Sequence, residues 1–371
     1  LKNGYMAKNL PKDVEFIEYN HPEKLPQDSI VVFQSVPPWR IPMFHRFPSN
    51  ASLLFWNLHP LNLSPDLINV ESKHRILKAV FNNFSIVRKK KLKVLVTLLT
   101  KGNAIKYMDQ LNFLSTCEKL GLNSKECHFL QILTENNVNT KVKNIGKKRD
   151  LSLAWLGRIE SFKTPILMHI IERISYVQKF KISFSIIGDG EDLRKIKLKC
   201  QSIKNINFSF IKNVQYKNIN KIFKDIDVLF AMGTSALEGA KNKVPTILVD
   251  FSYEKICGLY HFKMINERKN YNLAEMINHS HMEKKSSLEN LLIDITRHYG
   301  KHSKESFMYW ENNFSPRVVI PKFLEAIENS SVTFDDIINN NLNKVDMFTR
   351  IKHFTKNLLK PISIDEGWQY S

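Results

Sequence analysis

Short apolar runs and helically spaced apolar positions alternate along the first half of the chain. Residues 29–34 and 51–56 form apolar runs that predict two buried strands. Residues 76–84 and 113–120 carry apolar positions at helical spacing, which predicts two helices, and residues 93–99 fit either a strand or a short helix. This half therefore already shows the alternation of strands and helices that is typical of an α/β protein.

The second half repeats the alternation more regularly. Its apolar runs predict strands at residues 151–156, 181–187, 206–211, 227–231 and 245–250. Helical spacing between these runs predicts helices at residues 165–177, 193–200, 219–223 and 235–241. Units of this length form a parallel, doubly wound sheet with helices on both faces. Ligands of such sheets bind beyond the carboxyl ends of the strands.

Length and composition agree with two globular domains. The chain has 371 residues, of which 43% are hydrophobic and 25% are charged, so a disordered chain is excluded. A polar stretch over residues 135–148 predicts a linker between the domains. The sequence contains no run of eighteen apolar residues that would span a bilayer and no apolar segment at its start that would act as a signal peptide. The four cysteines form no CxxC pair, which favours a reducing cytoplasm.

The net charge of +19 has two interpretations. Basic clusters at residues 88–93 and 344–360, the second with interleaved apolar residues, fit a protein that docks peripherally on an anionic membrane surface. Composition offers the other interpretation, because Lys, Asn and Ile are abundant together and the basic residues are spread widely. This spread, without accompanying aromatic residues, argues against a nucleic-acid partner.

A glycine-led segment over residues 232–240 is the most informative local pattern. Gly233 follows a predicted buried strand, and a helix is predicted to start within two residues of it. Exposed N–H groups at a helix start bind phosphate or sugar oxygens, and a glycine lets the backbone approach a ligand closely. Glu238 lies one turn into the helix, where its carboxylate could accept hydrogen bonds from ribose hydroxyls. The Ser235-x-x-Glu238 spacing fits a capping box equally well, and a capping box needs no ligand.

Three motifs in sequence order carry a resemblance to a known family. The first is Gly157-Arg158 with Lys163 five residues further on, the second is Gly188-Asp189-Gly190, and the third runs from Asp227 to Asp250. Together they resemble the donor-binding half of the GT-B glycosyltransferases, especially family 4, the "group 1" transferases. The resemblance covers about a hundred residues and implies two Rossmann-like α/β domains that face each other across a cleft, with a C-terminal helical tail.

The resemblance also implies a role for each matching residue in binding a nucleoside-diphosphate sugar. Arg158 and Lys163 would neutralise the diphosphate, although two solvated surface cations would give the same sequence. Gly188 and Gly190 would form a turn beside the nucleotide base, or only a tight turn. The remaining donor-binding residues would contact the diphosphate, the sugar or the ribose; they are Gly233, Thr234, Ser235 and Glu238. The family as a class works without a bound metal or other cofactor, and no DxD motif ends a predicted strand here.

One position departs from the family pattern. Many family members carry two glutamates separated by seven residues, and counting back from Glu238 places the first at Phe230. Phe230 is apolar and is predicted to lie inside a strand. The resemblance implies a retaining hexosyltransferase, but the missing carboxylate leaves the stereochemistry and the donor sugar open.

The domain boundaries follow from the linker and from the resemblance. We predict an acceptor-binding domain over residues 1–145, a nucleotide-sugar-binding domain over 146–315, and a helical return with a basic amphipathic tail over 316–371. The family's first strand and glycine-rich loop are not visible, so we expect the first domain to lack that strand. His59 follows a predicted strand and is a candidate for a catalytic base or a substrate contact, or is simply packed there. Gln34 and Arg40 are candidate acceptor-binding residues.

The sequence therefore predicts an enzyme that transfers a sugar to a glycan or lipid-linked acceptor in surface polysaccharide biosynthesis, such as that of lipopolysaccharide or capsule. It would act in the cytoplasm, at the inner face of the cytoplasmic membrane. A sugar-nucleotide epimerase of the same architecture, a basic nucleic-acid-binding protein and a non-catalytic descendant of the fold remain alternatives. A nicotinamide oxidoreductase is disfavoured, because Leu193 stands where a GxGxxG motif that begins at Gly188 requires its third glycine.

Overall fold

Contacts along the chain divide it into two structural units. A computed structural model describes residues 10–15, 25–41, 46–63, 75–123, 127–135, 150–212, 214, 218–283 and 288–344. The first unit comprises Leu1–Met108, Asn112–Leu130 and Leu324–Ser371, and the second comprises Asp109–Leu111 and Gln131–Phe323. The predicted linker lies almost entirely outside the described residues, as does the basic tail beyond residue 344. The domain boundaries drawn from the sequence stay a prediction.

A parallel three-stranded sheet forms the centre of the first unit. Its strands, in the order β1-β2-β3, are β1 (Ile30–Gln34), β2 (Ser52–Asn57) and β3 (Ile105–Tyr107). Helix α1 (Arg75–Lys101) connects β2 to β3, and helix α2 (Gln110–Leu120) follows. The apolar runs at residues 29–34 and 51–56 therefore do form strands, and the helical spacing at residues 113–120 belongs to a helix.

Helix α1 settles the ambiguous run at residues 93–99. The whole run is helical, and residues 76–84 belong to the same continuous helix of 27 residues. The physical reason is visible in the burial of Leu92, Leu95, Val96 and Leu99, which recur at helical spacing and pack into the core of the first unit. The sequence analysis missed β3, which has only three residues and follows α1 after a short turn.

The second unit contains a larger sheet and helices that match the predicted alternation. Its main strands are β4 (Asp150–Leu156), β5 (Lys181–Ile187), β6 (Ile206–Ile211), β7 (Val228–Ala231) and β8 (Thr246–Leu248). The helices between them are α3 (Thr164–Ser175), α4 (Leu193–Gln201), α5 (Ile219–Ile222) and α6 (Thr234–Lys241). Two-residue strands follow at β9 (Leu259–Tyr260), β10 (Lys263–Met264) and β11 (Met282–Glu283).

The strand order identifies the second unit as Rossmann-like. The five parallel strands lie in the order β6-β5-β4-β7-β8, and β10 adds an antiparallel edge beside β8. Counted within the unit this is the order 3-2-1-4-5 of the doubly wound dinucleotide fold. Both faces are covered, since Leu153 and Trp155 of β4 pack in one apolar cluster while Ala154 and Leu156 pack in another.

Helices form the C-terminal part of the described chain. They are α7 (Leu288–Arg297), α8 (Tyr299–Asn313), α9 (Pro316–Glu328) and α10 (Phe334–Asn339). Thr333 caps α10, because its hydroxyl accepts a hydrogen bond from the Asp336 N–H at 3.3 Å. Within the described ranges, no helix combines the length and the apolar character that crossing a bilayer requires. The predicted fold class, a mixed α/β protein with parallel sheets and C-terminal helices, is confirmed.

Candidate functional site

The carboxyl ends of β4, β5 and β7 bring the three predicted motifs to one edge of the second sheet. Gly157 follows β4, Gly188 follows β5, and Gly233 lies two residues beyond β7. The strand order reverses between β4 and β7, which are neighbours in the sheet. Doubly wound sheets bind their ligands at this switch point. Topology alone therefore selects the same edge that the motifs indicate.

The two glycines after β5, Gly188 and Gly190, are required by the close approach of two backbones. A Cβ atom on Gly188 would lie 2.0 Å from the carbonyl oxygen of Gly157, and one on Gly190 would lie 2.1 Å from the carbonyl oxygen of Ile159. Hydrogen bonds join the same turns, since the Ile159 N–H donates to the Asp189 carbonyl at 2.9 Å. The two glycines thus hold the turns together, and contact with a nucleotide base stays a prediction.

Arg158 and Lys163 bring two positive charges to the end of β4. The Arg158 side chain is 75% exposed and pairs with Glu160, with 2.6 Å between Nη1 and Oε1. Lys163 is half-buried and begins the turn into α3, where its Nζ lies 5.4 Å from the centre of the Phe162 ring. Burial and then the neighbouring charge of Arg158 lower the pKa of the Lys163 ammonium, while Glu160 opposes that shift. A bound anion would relieve the repulsion between the two cations.

Helix α6 begins at the glycine turn, two residues before Ser235. Gly233 is the N-cap residue with φ +61°, a conformation that favours glycine, and no side chain caps the helix. The Gly233 N–H donates to the carbonyl of Leu273 at 2.9 Å, which anchors the turn. The capping-box interpretation of Ser235 and Glu238 is therefore wrong, because Ser235 lies inside the helix. Thr234 is exposed and Ser235 partly so, at a helix start suited to an anion.

Glu238 lies buried one turn into α6 and is paired with a lysine. Lys241 Nζ lies 2.8 Å from Glu238 Oε2, and the two side chains are 1% and 9% exposed. Sequence analysis did not identify this partner, although the spacing of three residues places both on one helix face. Gly239 lets the helix pack closely on the sheet, because a Cβ there would lie 2.3 Å from Leu229 Cδ2. Phe230 is fully buried in β7, as the sequence predicts.

The carboxyl end of β8 carries a polar network that the sequence analysis missed. Asp250 is fully buried. Its Oδ2 accepts a hydrogen bond from the Tyr260 hydroxyl at 2.7 Å and forms an ion pair with the Arg268 guanidinium. Its Oδ1 accepts the Glu275 N–H at 2.9 Å. His281 Nε2 lies 3.8 Å from Asp250 Oδ2 and 3.5 Å from Glu275 Oε2. The one local signal was an aspartate at the end of the apolar run 245–250.

The candidate residues of the first unit lie at or after the carboxyl ends of β1 and β2. Gln34 ends β1 and is exposed, and Arg40 ends a 3-10 turn that follows. His59 is exposed just beyond β2, and its Nδ1 accepts the Leu61 N–H at 3.1 Å while its own N–H donates to Asn57 Oδ1 at 3.3 Å. These contacts show how His59 is held in its turn. The roles of all three residues stay predictions.

Two sequence comparisons give no relative. No protein-family model matches the chain, and no curated protein sequence matches it. Several solved structures are similar to it at low identity. A TarM variant from S. aureus shares 14% identity at a TM-score of 0.40, over 61% of this chain and 44% of TarM, so the chain spans less than half of that protein.

Two further structures show likeness of the same order. HepE from Anabaena shares 10% identity at a TM-score of 0.43, over 74% of this chain and 77% of HepE. A glycosyltransferase from Rickettsia africae shares 12% identity at a TM-score of 0.42, over 62% of this chain and 63% of that enzyme. The fold is established by the chain's own strand order and connections. These confirm the α/β fold that the resemblance to the GT-B glycosyltransferases implies.

Proposed function

We propose that this protein is a glycosyltransferase that moves a sugar from a nucleoside-diphosphate sugar to a glycan or lipid-linked acceptor. The observation that supports the proposal best is the convergence of three motif turns at the switch point of a Rossmann-type sheet. Surface polysaccharide biosynthesis, such as that of lipopolysaccharide or capsule, is the process that we propose for it. Its place would be the cytoplasmic face of a membrane, reached through the basic segments.

The site would work by charge neutralisation of the departing diphosphate. Arg158, Lys163 and the first N–H groups of α6 would hold the two phosphates, and Glu238 would hold the ribose. Fixed donors and cations stabilise the negative charge that develops as the bond to the sugar breaks. We propose that transfer needs no metal or other cofactor.

The acceptor would be bound by the first unit. His59 is the proposed base or substrate contact, and Gln34 and Arg40 are the proposed acceptor contacts. A hexose is the proposed transferred unit. Retention of configuration is proposed from the resemblance alone. The buried Phe230 gives it no support, because it stands where the family pattern has the first of its two glutamates.

Removing either cation should weaken nucleotide binding. We expect Arg158→Ala and Lys163→Ala each to lower the affinity for a nucleoside diphosphate about ten-fold, since each removes a charge-assisted contact to phosphate. Isothermal titration with a panel of nucleoside diphosphates measures the effect. Lys181→Ala is the matched control, because Lys181 is an exposed cation at the amino end of β5. Wild-type affinity in both site variants would exclude the phosphate role.

Activity is tested by incubating the protein with nucleotide sugars, with and without acceptors. Acceptor-dependent release of nucleoside diphosphate supports the transferase. An epimeric nucleotide sugar formed without acceptor identifies an epimerase instead. If oligonucleotides bind in a salt-dependent manner while no nucleotide sugar binds, the function is nucleic-acid binding.

Glu238 serves either the ribose or only the helix, and two substitutions distinguish these roles. Glu238→Gln should weaken nucleotide-sugar binding about ten-fold and, because Lys241 loses its buried carboxylate, lower the free energy of unfolding by about 1–3 kcal/mol. Lys241→Met is the control, because it removes the ion pair and keeps the carboxylate. Equal losses of affinity in both variants would make Glu238 a structural residue.

A further inference from the structure

A polar pocket of about 270 Å³ lies in the second unit, beside the end of β8. Its volume is slightly below the lower end of ordinary ligand pockets, about 300 Å³, so it suits one small ring better than an oligomer. The side chains that matter here come from residues 263–281, and they are Lys263, Arg268, Asn270, Asn272, Glu275 and His281. None of them belongs to the three motifs that indicate the diphosphate site.

The pocket adjoins the glycine turn of that site. Ala231 ends β7 and pairs with Leu248, which ends β8, so Gly233 and Asp250 each lie two residues beyond the ends of neighbouring strands. The chain segment that lines the pocket is bonded to both residues, through the Leu273 carbonyl to Gly233 and through the Glu275 N–H to Asp250. A diphosphate held at Gly233 would therefore have this pocket within reach of whatever group is attached to it.

The pocket is built before any ligand arrives. Arg268 is held by the buried Asp250, and its Nε is a buried donor that meets no acceptor among the described residues. The Asn272 amide donates to Glu275 Oε1 at 3.0 Å, which fixes the carboxylate. Asn270 and Tyr271 have φ of +56° and +65°, and two consecutive non-glycine residues in this region store strain of the kind found at ligand sites.

The chemistry of the lining fits hydroxyl groups. Amides from Asn270 and Asn272, the Glu275 carboxylate and the Arg268 guanidinium are planar groups with two donors, two acceptors or one of each. The Asn270 amide donates one of its hydrogens to Gln110 Oε1 and keeps its second hydrogen and its oxygen. The lining also combines charges of both signs, namely the carboxylates of Glu267 and Glu275 and the cations Lys263, Arg268 and Lys269. A free phosphate would need a clearer excess of cations, whereas vicinal hydroxyls need donors and acceptors side by side.

We propose that this pocket binds the sugar ring of the nucleotide-sugar donor, with Glu275 and Asn270 as the residues that recognise its hydroxyls. The proposal rests on the proposed function, since it assumes that a nucleoside diphosphate occupies the neighbouring site.

The test compares a nucleoside diphosphate with the corresponding nucleotide sugars. In the parent protein, at least one nucleotide sugar should bind more tightly than its diphosphate in isothermal titration. Glu275→Gln and Asn270→Gly should each weaken nucleotide-sugar binding at least about ten-fold, which removes most of that difference. Neither variant should change the affinity for the diphosphate. Glycine suits the positive φ at position 270, so the second variant removes the amide without a strained backbone.

Asn103→Gly provides the matched control, because Asn103 also has a positive φ of 54° but lies in the first unit. Melting temperatures of all variants verify that they are folded. If both pocket variants keep the parent's preference for the nucleotide sugar, the assignment is overturned while nucleotide binding stands. The same holds if no nucleotide sugar binds better than its diphosphate. Absence of any nucleotide binding by the parent would instead overturn the proposed function, and this assignment with it.

Discussion

Asp250→Ala should lower the free energy of unfolding by about 3–5 kcal/mol, the cost of removing one partner of a buried ion pair. Asp250 is fully buried, and the substitution leaves the Arg268 guanidinium, whose side chain is 9% exposed, without its carboxylate. The Tyr260 hydroxyl and the Glu275 N–H lose an acceptor at the same time. Denaturant titration followed by circular dichroism measures the loss.

Two further variants show what the loss reports. Asp294→Ala is the control, because Asp294 also bonds two side chains, His298 and His302, but is 52% exposed. It should cost about 0–1 kcal/mol, as exposed pairs do. Asp250→Ala combined with Arg268→Ala should cost less than the sum of the single changes, because no unpaired cation remains. Strict additivity in this cycle would show that the buried pair is not coupled.

Lowering the pH from 7 to 4 should destabilise the protein by about 3 kcal/mol through His169 alone. Burial, and then the charge of Arg173, lower the pKa of His169 from 6.5 to about 4. The folded protein thus holds the ring neutral where the unfolded chain protonates it. The contribution is fully present above pH 6.5 and is lost as the pH falls toward 4.

His169→Phe isolates this contribution from that of the carboxylates. The ring of His169 stacks near Phe262, 6.2 Å between centres, and meets Tyr260 edge to face at 6.4 Å, so phenylalanine fits the surroundings. Stability of parent and variant is compared from pH 7 to pH 4 by denaturant titration. The parent should lose more than the variant between pH 6.5 and 4. Parallel pH profiles would show that His169 is not protonated on unfolding.

Local patterns predicted the second unit well, because each of its motifs is a strand, a turn and a helix in immediate succession. The β7 strand, the Gly233 turn and α6 are written in one stretch of fourteen residues from Val228 to Lys241, and apolar runs and a glycine are enough to place them. The same locality explains the buried Phe230. Where the contacting residues are also close in sequence, the pattern of apolar residues and glycines is enough to predict the local structure.

Long-range polar contacts could not be predicted in this way. Asp250 bonds Tyr260, Arg268 and Glu275, which lie 10, 18 and 25 residues further along in loops and short strands without periodicity. Nothing in the spacing of these residues distinguishes them from surface charges. The sequence did not predict one continuous helix over residues 75–101 for another reason. A short window around residues 93–99 fits a buried strand and a buried helix face equally well.

The packing around Phe230 limits which substitutions the protein can accept at this position. Its ring meets those of Phe184 and Phe262 edge to face, at centre distances of 6.2 and 5.9 Å, inside the main core of the second unit. A glutamate introduced there would be an unpaired charge among aromatic rings, and its desolvation would be opposed by no partner. A single substitution at position 230 therefore cannot introduce the first glutamate of the pattern that Glu238 would complete. If the proposed function holds, changes in sugar preference would have to arise in the loops that follow the strands, where side chains can vary without disturbing the sheet.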